Sequence, residues 1–289
     1  MHSEALFTVL GRDVYLYGIF IGLGIIACFI VFLLYTNHEK INRDLQDFVF
    51  FTAVISIAVG FFFAKLYQAI YNFIEDGHFD LWNSGITVMG GLIGGAISFL
   101  SIYFGIGHLY FNRDIYKKKK INGKAIHVAQ FNIILRVAPL CILIAHGFGR
   151  IGCLMAGCCH GEYLGVEPTA GGIFMHPFYE ASGYYVPTQL YEALFLFVLF
   201  GVLSLLFFKK SNIIMHLYLI FYGIWRIIIE FFRADSRGAI VLGLAPSQWQ
   251  SFVFILLGIC LILFYYFKKI PFVLREEKTE ETDKTIDNI

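Results

Sequence analysis

VYLYGIFIGLGIIACFIVFLLY, residues 14–35, contains no charged side chain. Wound as an α-helix rising about 1.5 Å per residue, it reaches roughly 33 Å, enough to cross a hydrocarbon core about 30 Å thick. The segment before it carries Glu4, Arg12 and Asp13. That is a poor match to a cleavable signal, which has a basic start and a short apolar stretch, so the run reads as a retained span.

Six further runs follow, near 48–73, 84–106, 131–151, 189–208, 213–233 and 247–267. The 289-residue chain is 58% hydrophobic and only 15% charged, against about 25% charged in a typical soluble domain. The runs lack strict apolar–polar alternation, which argues against a membrane β-barrel. Backbone groups in lipid must be satisfied within the segment, so helices are the expected form. The reading is an all-α polytopic membrane protein of about seven transmembrane helices. It forms one domain over residues 1–275, with a polar, disordered tail over 276–289. No internal repeat and no separate soluble domain is evident.

Lys and Arg mark the cytoplasmic links. Lys40 and Arg43 follow span one; Arg113, Lys117, Lys118, Lys119, Lys120 and Lys124 follow span three. Lys209 and Lys210 follow span five, and Lys268, Lys269 and Arg275 lie beyond span seven. The link after span two, EDGHFD at 75–80, has no Lys or Arg. This alternation predicts an outside amino terminus and a cytoplasmic carboxyl terminus. Residues 152–188, rich in Gly, Cys, His and Pro, then form a small outward head or a re-entrant loop.

Ionisable groups inside spans are costly and mark candidate sites. In YGIWRIIIEFFRADSRG, residues 222–238, Tyr222, Arg226, Glu230 and Arg233 follow at intervals of four, four and three. That spacing aligns them on one helical face. A buried Arg–Glu pair is tolerated where either charge alone is not, and spare arginine capacity suits a phosphate. An ion pair that only locks helices together is the competing reading. Span four ends AHGFGRIGCLMAGCCHG, where His146 and Arg150 are four apart and share a face. GFGRIG matches a dinucleotide-binding string only formally, since no strand precedes it. Glycines there, like Gly90, Gly91, Gly94 and Gly95 in span three, suit close helix packing or close approach to a lipid headgroup.

Cys153, Cys158, Cys159 and His160 are not spaced as a standard zinc pattern, and adjacent cysteines bind one ion awkwardly. Structural thiols or a disulfide is the leading reading there; a nucleophile is a minor one. Gln189, Tyr191 and Glu192 open span five in PTQLYEA, residues 187–193, as polar groups at the outer interface. Tyr17 reads as an interfacial anchor, and Ser247 with Gln248 reads as a helix start.

GRIG at 149–152, MGGLIGG at 89–95, PTQLYEA at 187–193, YGIWRIIIEFFR at 222–233 and PSQ at 246–248 together resemble prolipoprotein diacylglyceryl transferases, in order and over nearly the whole chain. The GCxxAGCCxG string resembles a cysteine-bearing branch of that family. The resemblance implies a bacterial inner-membrane enzyme that moves a diacylglyceryl group from phosphatidylglycerol to the lipobox cysteine of a preprolipoprotein, releasing glycerol 1-phosphate. Its partners would be that lipid, the signal peptide and the surrounding membrane lipids. No cofactor, metal or nucleic acid is expected. By position, the resemblance makes Arg150 and Arg226 the essential arginines and makes Tyr222, Glu230 and Arg233 their functional neighbours. Tyr17, Gly90, Gly91, Arg233, Gln189, Tyr191, Glu192 and Gln248 are expected to bind substrate. Met89 stands where the family has a histidine, Cys153 where it has asparagine, and Leu135-Arg136 where it has aspartate. Met89 cannot accept a proton, which leaves His146 or Glu230 as the thiol's base. A sister enzyme with another acceptor, and a transporter or structural protein, are the alternative readings.

Overall fold

The structure, a computed structural model, describes residues 6–9, 11–85, 87–113, 120–121, 123–175, 182–234 and 244–268. Lys117, Lys118, Lys119, Lys269, Arg275 and the 276–289 tail lie outside the described residues. Among the described residues, seven long helices follow in order: α1 Leu16–His38, α2 Arg43–Asp76, α3 beginning at Val88–Ser101, α4 Phe131–Ala156, α5 Thr188–Phe208, α6 Ile214–Glu230 and α7 Pro246–Lys268. Six are long and apolar enough to cross a membrane; α6, at 17 residues, is the short one. Its length is about 25 Å. The apolar run predicts a span to Arg233, but the helix ends at Glu230 because the Arg233 backbone forms an antiparallel bridge with Gly161. The protein is a multi-pass membrane protein.

The chain forms two compact units, Met1–Tyr35 with Ile134–Ile289, and Thr36–Ile133. In the second unit, α2 is longer than its apolar run. Asn42 accepts hydrogen bonds from the Asp44 and Leu45 amides, and Gly77, at φ 71°, donates to the Phe73 carbonyl. These caps carry the helix through its charged ends. In the link that follows, Asp80 accepts from the backbone and side chain of Asn83 and from the Trp82 amide. Those bonds, Asn83's first, hold its carboxyl below the usual carboxylate range.

α2 and α3 meet along a seam of glycines. A Cβ on Gly60 would stand 2.9 Å from the Gly91 carbonyl; one on Gly90 would stand 2.6 Å from Tyr67 Cβ and 2.7 Å from the Phe63 carbonyl. Such approach is how helices associate in lipid without a hydrophobic driving force. After Ser101 the helix widens into a π turn, Ile102–Ile106, and resumes as Gly107–Phe111. Tyr103 in that turn is fully buried and donates to the His127 carbonyl at 2.7 Å.

In the first unit, α6 and α7 form a second seam. Cβ atoms on Gly223 and Gly258 would meet Ile255 and Ile220, each at 2.7 Å. α1 and α4 meet at Gly24, where a Cβ would stand 3.1 Å from the Ala145 carbonyl. Two features are β rather than α. Phe7–Val9 pairs antiparallel with Arg12–Val14 ahead of α1. The head between α4 and α5 carries a three-stranded antiparallel sheet, ordered Tyr163–Gly165, Gly183–Tyr185, Ile173–Met175. The head is also shorter than predicted, because α4 continues past Gly152 to Ala156.

Candidate active site

The site is built from the head-side ends of α4, α5 and α6. Glu192, on the first turns of α5, is at its centre and is 0% exposed. Arg150 Nε of α4 lies 2.9 Å from Glu192 Oε2, and His146 Nε2 lies 3.7 Å from Oε1. The four-residue spacing of His146 and Arg150 thus directs both side chains at one carboxylate. Neither Glu192 oxygen meets hydrogen-bond geometry among the described residues, so charge carries the attraction. On α6, Arg226 Nη2 pairs with Glu230 Oε2 at 2.8 Å, one turn apart. Glu192 also lies within electrostatic range of Arg226 and Arg233.

Tyr222 sets its ring edge-on to His146, centroids 5.5 Å apart, and stacks on Tyr218 at 5.8 Å. Arg150 in turn feels the Tyr222 hydroxyl. Tyr17 of α1 packs where Gly152 has no side chain: a Cβ there would be 3.3 Å from the Tyr17 ring. Tyr17 is 42% exposed and lies within range of Arg150 and of the three head-side cysteines. The structure therefore gathers Arg150, His146, Glu192, Tyr222, Arg226, Glu230, Arg233 and Tyr17 at one end of this unit.

Other expected site residues do different work. Gln189 and Glu192 are fully buried within the protein. Gln189 Nε2 donates to the Cys158 carbonyl at 2.5 Å, and Thr188 Oγ1 donates to the Cys159 carbonyl at 2.9 Å. Together they fasten the head to the start of α5. Tyr191 turns away from Glu192; it is 38% exposed and its hydroxyl reaches the Gly171 carbonyl at 3.5 Å. Gln248 caps α7, its Oε1 accepting from the Ala245 amide at 3.0 Å behind Pro246. Gly90 and Gly91 pack against α2 in the other unit.

The sequence reading did not single out Thr188 or Tyr218, nor Glu192 as the hub. Sequence offers one signal for the hub, a carboxylate inside a predicted span. The cysteines match the thiol reading but converge more closely than their spacing suggested. All six are thiols, and the sulfurs of Cys153, Cys158 and Cys159 lie within 4.8 Å of one another. Adjacent cysteines converge here because Cys159 adopts φ 62°, turning the chain back on itself.

A family model described as prolipoprotein diacylglyceryl transferase matches residues 4–264. A phosphatidylglycerol–prolipoprotein diacylglyceryl transferase of Clostridium tetani is 34% identical over 280 residues, covering 92% of this chain and 99% of the relative. One of Dehalococcoides mccartyi is 32% identical over 280 residues, covering 93% and 92%. A phosphatidylglycerol–prolipoprotein diacylglyceryl transferase 2 of Clostridium perfringens is 31% identical over 263 residues, covering 86% and 90%. With GRIG, PTQLYEA and YGIWRIIIEFFR contributing to the cluster around Glu192 and its match running nearly end to end, the chain belongs to the prolipoprotein diacylglyceryl transferase family.

Proposed function

We propose that this protein transfers the diacylglyceryl group of phosphatidylglycerol to the lipobox cysteine of a preprolipoprotein, the first step of bacterial lipoprotein maturation. The supporting observation is the gathering of Arg150, Arg226 and Arg233 within reach of one buried carboxylate. Three guanidiniums face two carboxylates, Glu192 and Glu230. The surplus positive charge matches a phosphodiester, and arginine grips phosphate oxygens with paired hydrogen bonds.

In the reaction the thiol sulfur attacks the glycerol carbon, an S–C bond forms and the C–O bond to phosphate breaks. The electron pair leaves on the phosphate, converting a monoanionic diester into a more highly charged monoester. Arg150 and Arg226 hold the phosphoglycerol, and their attraction rises as that charge develops. The enzyme needs no nucleophile of its own, only an acceptor for the thiol proton. His146 is that acceptor, with Glu192 beside it to orient the ring and stabilise the imidazolium. Glu230 is engaged by Arg226 at 2.8 Å, and Tyr222 braces His146. Tyr17 and Arg233 bind the lipid headgroup. Gln189 and Gln248 support the substrate site through the hydrogen bonds they make at the starts of α5 and α7.

The protein sits in the bacterial inner membrane with its amino terminus outside, its carboxyl terminus cytoplasmic and the site facing outward. Residues 1–275 act as a single catalytic domain. The test is an assay of purified protein with phosphatidylglycerol and a lipobox peptide. The expected result is a mass gain of one diacylglyceryl unit on the peptide cysteine, with glycerol 1-phosphate released. No mass gain from folded, lipid-supplied protein would overturn the reading; glycerol 1-phosphate release without it would point to another acceptor.

A further inference from the structure

The three head-side cysteines have no part in that reaction. Cys153 lies on the last turns of α4, and Cys158 and Cys159 follow just beyond its end. Their sulfurs stand within 4.8 Å of one another, all partly buried. The arrangement is built rather than incidental. A non-glycine residue at φ 62° is strained, and such strain persists only where the surroundings over-determine it. Here they do so, because Thr188 and Gln189, both 0% exposed, hold the Cys159 and Cys158 carbonyls from α5. The Cys158 amide also donates back to the Cys153 carbonyl at 3.2 Å. A disulfide would use two of these sulfurs and leave the third without a purpose; a metal ion uses all three.

We propose that Cys153, Cys158 and Cys159 form a binding site for a thiophilic d10 cation, of the class of Zn2+, Cd2+ and Cu+, whose occupancy restrains the adjacent phospholipid site. Metal–sulfur bonds of about 2.3 Å place three sulfurs roughly 3.8–4.0 Å apart, so the cluster needs to contract by no more than about 1 Å. For a divalent ion the balance is three thiols and M2+ giving a tris-thiolate complex of charge −1 and three protons released to solvent. Arg150 lies within electrostatic range of Cys153 and Cys159, and Tyr17 within range of all three thiols. An anionic complex there is stabilised by the guanidinium that would otherwise meet the lipid phosphate, so the two anions compete. The restraint rests on the transferase reading; the binding does not.

The experiment uses the full-length protein in detergent, reduced and stripped of metal, with Cd2+ as the probe. The expected result is an ultraviolet thiolate-to-cadmium charge-transfer band saturating at one ion per chain. Affinity should fall more than about tenfold in Cys153→Ser and in Cys159→Ser and stay unchanged in Cys260→Ser. Should the serine variants misfold, the wild-type chain still decides: Cd2+ should protect these three thiols, and not Cys260, from alkylation read by peptide mass. Absence of the band, an unchanged band in Cys153→Ser, or a chain isolated two hydrogens lighter through a disulfide among the three would overturn the site. Diacylglyceryl transfer should fall about tenfold or more at Cd2+ saturation and return with a chelator. A band without loss of transfer would overturn the restraint alone. Metal-free protein lacking all transfer would overturn the transferase reading and leave the metal site standing.

Discussion

The α2–α3 seam and the α4–α5–α6 cluster join helices by opposite means. The seam strips side chains away until Gly60 and the Gly91 carbonyl almost touch, and its adhesion is the sum of many weak contacts. The cluster buries formal charge, and its adhesion is concentrated in a few pairs around Glu192. α6 uses both means, presenting Gly223 to α7 while Tyr222 faces His146 of α4. Packing alone holds helices together at no electrostatic cost. Buried charge is worth its desolvation only where a site uses it. A seam should therefore fail gradually under substitution, and a cluster abruptly.

The largest expected effect is at the hub. Glu192→Ala leaves Arg150 without its counter-ion and should lower stability by about 3–5 kcal/mol. Melting in detergent, followed by intrinsic fluorescence, would measure it; a change under 1 kcal/mol would dissolve the contrast with the seam. Next is His146→Ala, expected to slow transfer by about 10²–10⁴-fold with the fold intact. An unchanged single-turnover rate would remove His146 as base and return that role to Glu230. In the seam, Gly60→Leu should cost about 1–3 kcal/mol by overpacking, with transfer per folded molecule retained. Loss of transfer at full folding would show that the seam does more than pack. Smallest is Tyr191→Phe, whose weak contact to Gly171 predicts a change within about 0.5 kcal/mol and an unaltered rate. A large effect there would bring Tyr191 back into the site.

Hydropathy located every long helix, because a 20-residue apolar run has few other fates. It missed helix ends where polar residues continue the helix. α2 begins at Arg43 behind an Asn42 cap and runs to a Gly77 stop, both capping signals that a hydropathy window averages away. It overran α6, whose end is decided by a bridge from Arg233 to Gly161, seventy-odd positions away in sequence. The β-strands were illegible for a different reason: at three residues each they are too short to show a period. Within the site, the spacings of His146–Arg150 and Tyr222–Arg226–Glu230 declared their shared faces in advance. That Glu192, not Tyr191, would face Arg150 depends on the rotation of α5 in place. The convergence of adjacent cysteines depends on one backbone angle at Cys159. Neither is written in local composition.

The π turn at Ile102–Ile106 has an effect on heredity as well as shape. It accommodates one more residue than an α-helical turn, so everything after it is rotated by about 100°. That rotation carries Gly107 to within 3.4 Å of the Phe48 and His127 rings, measured from where its Cβ would be. A single-codon deletion in this stretch should therefore be tolerated, the helix relaxing to regular winding with Phe111 kept in its aromatic nest, whereas a single-codon insertion should swing Phe111 out of it. Insertions and deletions in this gene should be filtered here by angular phase rather than by length.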